Sequence, residues 1–213
     1  AEQLNSKVFR DWLDELLSDS RKENGELWVG CHGLSHKCWS AWGEDKHNFK
    51  EDLLVACSKI SSVVGVHWKP WFRAPGGYIA PWMAKILKDC NIEVDTSINP
   101  SSLLIRKSGK SSKRNKKKWN GWDTVSNAMS KEGITEREWL TSKICGIEMP
   151  ACGPALHIPL LKYFSKRVWY NTIKSHEIAS ENAIINSEKE VFTLYWHLLD
   201  YSRDNGKWKP PYL

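Results

Sequence analysis

Short apolar runs alternate with helical stretches along this chain, and that alternation limits the fold more than any other feature. Residues 27–31 (LWVGC), 63–72, 92–95 (IEVD), 144–149 and 190–196 (EVFTLYW) are brief and rich in β-branched or aromatic residues, the pattern of buried strands. Residues 2–22 place Leu4, Val8, Phe9, Trp12, Leu13, Leu16 and Leu17 at helical spacing, and Asn24-Gly25 ends that helix. Residues 46–62 put Phe49, Leu53, Leu54, Cys57 and Ile60 on one helical face. Pro81 opens a helix that runs to about Cys90, since proline suits a first turn. Further helices are expected at 135–142, 158–164 and 168–185, and Pro150 closes the strand at 144–149. Parallel strands need helix-length crossovers, so this spacing predicts an α/β protein with a mainly parallel sheet.

At 213 residues, with 41% apolar composition, the chain is expected to be a single domain with a proper core. It has no run of about 18 apolar residues, so no membrane span is expected. The first residues, Ala1-Glu2-Gln3-Leu4, lack the basic and apolar regions of a signal peptide, and a cytoplasmic location is expected. The six cysteines show no C-x-x-C spacing and read as free thiols in a reducing compartment.

The net charge of +6 comes from one stretch, because residues 106–118 (RKSGKSSKRNKKK) hold eight cations and no acid. The remaining 23 basic residues face 25 acidic ones, a net charge of −2. The stretch has no hydrophobic pattern and reads as a basic loop insertion. Eight cations could contact phosphates, with Trp119 and Trp122 stacking on bases. A solvated insertion is the expectation, and nucleic acid is not an expected partner. A polyanionic glycan or a nucleotide-linked sugar is a further candidate.

The chemistry-bearing residues gather at expected strand ends. His32 and His36 stand four apart after the run at 27–31, close enough to share a divalent metal if the backbone turns helically there. The alternative is a pair that only satisfies local hydrogen bonds. Arg73 follows the second strand and offers a fixed cation for an anion or carboxylate, or is a surface residue before a turn. Pro75-Gly76-Gly77, with Tyr78 next, permits a tight turn that brings backbone near a ligand. His197 ends the last run and is either a buried structural residue or a general acid. Of the thirteen tryptophans, Trp39 and Trp42 follow the histidine pair and are candidates for stacking on a sugar ring.

The ordered set HGLSH, FRAPGGYIAPWMAKIL, VDTSINP, GIEMP and FTLYWHLLD resembles the polysaccharide deacetylase (NodB-homology) family over roughly residues 25–202. The resemblance implies a distorted, TIM-like (β/α) barrel of about seven strands that hydrolyses acetyl groups on N- or O-acetylated sugars. It implies that His32 and His36 bind the metal, zinc first and cobalt or nickel as alternatives. It also implies that Arg73 braces the catalytic base, that His197 protonates the leaving group and that Asp95 helps tune that acid. The family's aspartate pair belongs to a first strand that would lie upstream of the helix at 2–22. Asp11, Asp14 and Asp19 fall within that helix and cannot substitute, so either the segment with the first strand is absent from this sequence, which is the expectation, or the barrel is incomplete and inactive. The rival readings are a non-catalytic carbohydrate-binding relative without those aspartates, and nucleic-acid binding through the basic loop.

Overall fold

The computed structural model describes residues 1–22, 27–41, 43–100, 107–108, 121–139, 141–144, 147–150 and 193. The helices expected at 158–164 and 168–185, the strand at 190–196 apart from Thr193, and the residues Trp42 and His197 lie outside the described residues. The chain divides into two compact units, Ala1–Ile98 with Arg106–Arg137, and Asn99–Ile105 with Glu138–Leu213.

The first unit is α/β. Strands β1 (Val29–Cys31), β2 (Trp68–Phe72), β3 (Val94–Asp95) and β4 (Thr135–Glu136) form one parallel sheet in chain order, β1-β2-β3-β4. Helices α2 (Lys46–Val64), α3 (Met83–Asp89) and α4 (Gly121–Lys131) make the three crossovers, and α1 (Lys7–Lys22) precedes the sheet. Gly30 permits the close approach of β1 to β2, since a Cβ there would lie 2.8 Å from the Trp71 carbonyl oxygen.

Helix α2 begins at Asp45, whose carboxylate accepts from Asn48 N at 3.3 Å, and stops at Gly65, whose positive φ of 54° suits glycine. Its Phe49, Leu53, Ala56, Ile60 and Val64 are buried at a spacing of three and four, whereas Leu54, expected on that face, is exposed. Phe49 is the centre of the packing. Its ring meets those of Trp39, Phe72 and Trp82 at centroid distances of 5.9, 6.1 and 5.6 Å, all edge to face. Truncating such a residue to alanine costs about 3–5 kcal/mol. Helix α1 buries Leu13 and Leu17 but leaves Val8, Trp12 and Leu16 exposed.

Two expectations are corrected around residue 133. The helix expected at 135–142 is absent: Thr135–Glu136 is strand β4 and Thr141–Ile144 is strand β5. The helix lies before Gly133 instead, with Trp122, Val125 and Met129 buried on one side of α4. Gly133 has φ 72° and marks the stop of a helix already made, which leaves Ile134 and Thr135 to extend along β3. In the second unit, the run at 144–149 is not one strand either. β5 pairs antiparallel with β6 (Ile147–Pro150), Ile144 opposite Ile147. Gly146 in the sequence is a hairpin signal. Among the described residues no helix is long and apolar enough to cross a membrane. Cys31, Cys38, Cys57 and Cys90 are free thiols, and Cys145 and Cys152 lie outside the described residues.

Candidate functional site

Parallel register brings the four strand ends level. Cys31 pairs with Phe72, Phe72 with Asp95, and Asp95 with Glu136. One residue further on, Arg73 N donates to Cys31 O at 2.9 Å, Thr96 N to Phe72 O at 2.9 Å and Arg137 N to Asp95 O at 2.8 Å. His32, Arg73 and Thr96 therefore leave the sheet side by side. This is the carboxyl end of a parallel sheet, where α/β proteins place their ligands.

His32 and His36 are brought together without the helical turn expected there. Residues 32–36 form an irregular loop in which Gly33 (φ 77°) and His36 (φ 59°) both adopt left-handed backbone. Glycine takes that conformation freely, but at His36 it stores strain of about 1 kcal/mol. The loop is held from outside: Leu34 N donates to Asp52 Oδ2 of α2 at 3.1 Å, and Glu2 N donates to Leu34 O at 3.0 Å. The two imidazole centroids end 5.0 Å apart at 69°.

His32 Nδ1 lies 2.7 Å from the Arg73 carbonyl oxygen. A carbonyl only accepts, so the proton is assigned to Nδ1, and in the neutral ring the lone pair sits on Nε2. Metal-binding histidines are commonly oriented by such a bond. The donor chemistry suits a zinc-like ion as far as it goes, with two imidazoles close together, one held in the ligating tautomer. Among the described residues no group of three or more His, Cys, Asp or Glu side chains that could hold a metal ion is found. The Arg73 side chain is anchored from β3, its Nε donating to Thr96 Oγ1 at 2.9 Å.

Asp95 is fully buried and accepts from Ser97 N at 3.0 Å and from Ser97 Oγ at 2.7 Å. Glu136 pairs with it from β4, and the Glu136 Oε1 accepts from Ile98 N at 3.4 Å. Burial pushes the Asp95 carboxyl above its ordinary range, while the hydrogen bonds from Glu136 and Ser97 and the charge of Arg73 oppose the rise.

Pro75–Gly77 forms a short 3-10 turn with left-handed Gly76 (φ 61°), where a Cβ would lie 3.2 Å from Cys38 Sγ. Pro75 is buried, and Gly76 and Tyr78 are half-buried. Lys107, near the start of the basic stretch, donates from Nζ to Gly76 O at 2.7 Å and lies 5.2 Å from the Tyr78 ring centroid. Its carbonyl accepts from Ser40 Oγ at 3.2 Å, so the Pro75–Gly77 turn and the segment after His36 are tied together at this lysine. Trp39 is buried against Phe49, and Lys37 Nζ lies 3.6 Å from its ring centroid. Little ring face is left there for a sugar.

The described residues thus unite His32, His36, Arg73 and the Pro75–Gly77 turn, with Asp95 sealed one strand further on. Sequence reasoning missed Asp52, Thr96, Ser97 and Glu136. Only Ser97 had a local signal, because an aspartate two residues before a serine can accept from its backbone N–H. No family model, curated protein or solved structure matches the chain.

Proposed function

We propose that this chain is a metal-dependent hydrolase that removes acetyl groups from N-acetylated, or O-acetylated, sugars or glycans. The observation that carries the reading is the hydrogen bond from His32 to the Arg73 carbonyl. It joins the HGLSH and R-A-P motifs, 41 residues apart, at adjacent ends of parallel strands. The sheet order supports a barrel of about seven strands, since β1-β2-β3-β4 runs without the reversal of doubly wound sheets.

In this reading His32 and His36 are two ligands of a divalent ion, zinc first, cobalt or nickel as alternatives. The ion, when bound, polarises the acetyl carbonyl. Arg73, tethered through Nε to Thr96, fixes a positive charge beside the histidines and orients the catalytic carboxylate or an anionic group of the substrate. The Gly76 and Tyr78 backbone forms one wall of the substrate site, and His197 is the general acid that serves the departing amine. Asp95, fully buried, acts on the geometry of its neighbours.

The test is acetate release from N-acetylglucosamine oligomers by the full chain supplied with zinc, cobalt or nickel. Release that is lost in both His32→Ala and His36→Ala supports the reading. Undiminished release in either variant overturns the metal assignment. Oligomer binding without release, with all three metals, moves the protein to the carbohydrate-binding reading.

A further inference from the structure

We propose that Ser97 is a positioning residue that couples the Asp95 carboxylate to His32 through the Arg73–Ala74 peptide group. Three hydrogen bonds form the link. His32 Nδ1 donates to the Arg73 carbonyl at 2.7 Å. The amide of that same peptide group, Ala74 N–H, donates to Ser97 Oγ at 2.7 Å. Ser97 Oγ in turn donates to Asp95 Oδ2 at 2.7 Å. The two N–H···O bonds are at the short end of their range, ordinarily about 2.9–3.0 Å, and the O–H···O bond has the usual length of its type.

The direction of the bonds matters as much as their length. Every donor in the series points toward Asp95, so each bond polarises the next in the same sense. A serine hydroxyl that gives its proton to a carboxylate becomes a better acceptor for Ala74 N–H. A peptide whose N–H is so engaged carries more negative charge on its carbonyl oxygen, the atom that holds the His32 proton. Both Asp95 oxygens accept, one from Ser97 N and one from Ser97 Oγ, as those of a carboxylate do at the end of the series. Ser97 and Asp95 are both 0% exposed, so water does not compete for these groups. The result is a histidine whose tautomer is set, and whose Nε2 is made electron-rich, by a carboxylate that never touches it. Direct carboxylate–histidine pairs do this in one step; here a serine and a peptide bond intervene.

The consequence for metal affinity rests on His32 being a metal ligand, as proposed above, whereas the consequence for its tautomer does not. Two readouts keep these apart. The first is long-range ¹H–¹⁵N correlation of the His32 ring in metal-free protein at a pH where the ring is neutral. Wild type is expected to show the Nδ1–H form alone, and Ser97→Ala a mixture of both tautomers. The second is zinc titration, in which Ser97→Ala and Asp95→Asn are each expected to weaken binding by about tenfold to a hundredfold. The double variant should be no worse than the poorer single one, because both changes cut the same series. Asp95→Asn keeps the shape of the site and gives the same two readouts if Ser97→Ala folds poorly. Thr96→Val, which releases Arg73 Nε but leaves the series intact, should not alter the tautomer.

A Ser97→Ala protein with the wild-type tautomer overturns the proposal, as does a double variant whose losses multiply. If wild type binds no zinc yet Ser97→Ala still mixes the tautomers, the coupling stands and the deacetylase reading falls.

Discussion

Two neighbouring pairs of strand ends sit in one row of the sheet and treat water differently. At the ends of β1 and β2, His32 and Arg73 are half-buried and His36 is exposed, on a loop that keeps His36 in left-handed backbone. At the ends of β3 and β4, Asp95 and Ser97 have no exposure, and Asp95 accepts from both the amide and the hydroxyl of Ser97. The first pair leaves its polar groups part-exposed, one of them on left-handed backbone. The second spends its polar groups on one another and on the peptide behind the first. The division teaches that one end of a parallel sheet can meet a ligand and its neighbour can fix the geometry with which it does.

The sharpest way to break that comparison is His36→Gly. Glycine relieves the left-handed backbone, so stability should hold or rise by up to about 1 kcal/mol. A metal supplies several kcal/mol of charge stabilisation, so acetate release should fall by about a thousandfold or more. A variant that stays active shows that the β1–β2 end is not the ligand end. Next in size is Asp95→Ala, which leaves the Ser97 amide and hydroxyl buried without their acceptor. Urea denaturation should show a loss of about 3 kcal/mol, and a variant as stable as wild type would show that the sealed end does not hold the fold.

The pH dependence of stability sharpens the same contrast. Asp95 titrates above the ordinary 3.8 in the folded protein, so the native state keeps its proton where the unfolded chain has lost it. Its contribution is therefore full below 3.8 and declines as pH rises through the folded value. Unfolding free energies should fall more steeply with pH above 3.8 in wild type than in Asp95→Asn, and the opposite order contradicts the buried-acid account. Smallest of all is Lys85→Ala. It removes an exposed pair with Asp89 at 2.8 Å, far from either strand-end pair, and no measurable change in the denaturation midpoint is expected.

The long elements were legible because their periodicity is strong. Strand β1 and the burial of Phe49, Leu53 and Ile60 follow from apolar spacing alone. The run at 63–72, by contrast, is helical to Val64 and a 3-10 turn to His67, so that β2 takes only Trp68–Phe72. Two-residue strands carry no period, so β4 was invisible, and a helix was assigned on the wrong side of Gly133. At the site, HGLSH and R-A-P were visible as motifs because histidine and arginine carry their chemistry on their faces. Their contact was not, since it runs through a backbone carbonyl that every residue has. The bond from Ala74 N to Ser97 and the place of Glu136 beside Asp95 were hidden for a related reason: they depend on register among β2, β3 and β4, which no local pattern specifies.

The most direct measurement is the metal content of the full chain after exposure to zinc, cobalt and nickel in turn, followed by exhaustive buffer exchange. The account predicts about one tightly held divalent ion per chain, absent in both His32→Ala and His36→Gly. No bound ion in wild type, or equal content in the variants, would contradict the claim that this strand end was built to hold a metal.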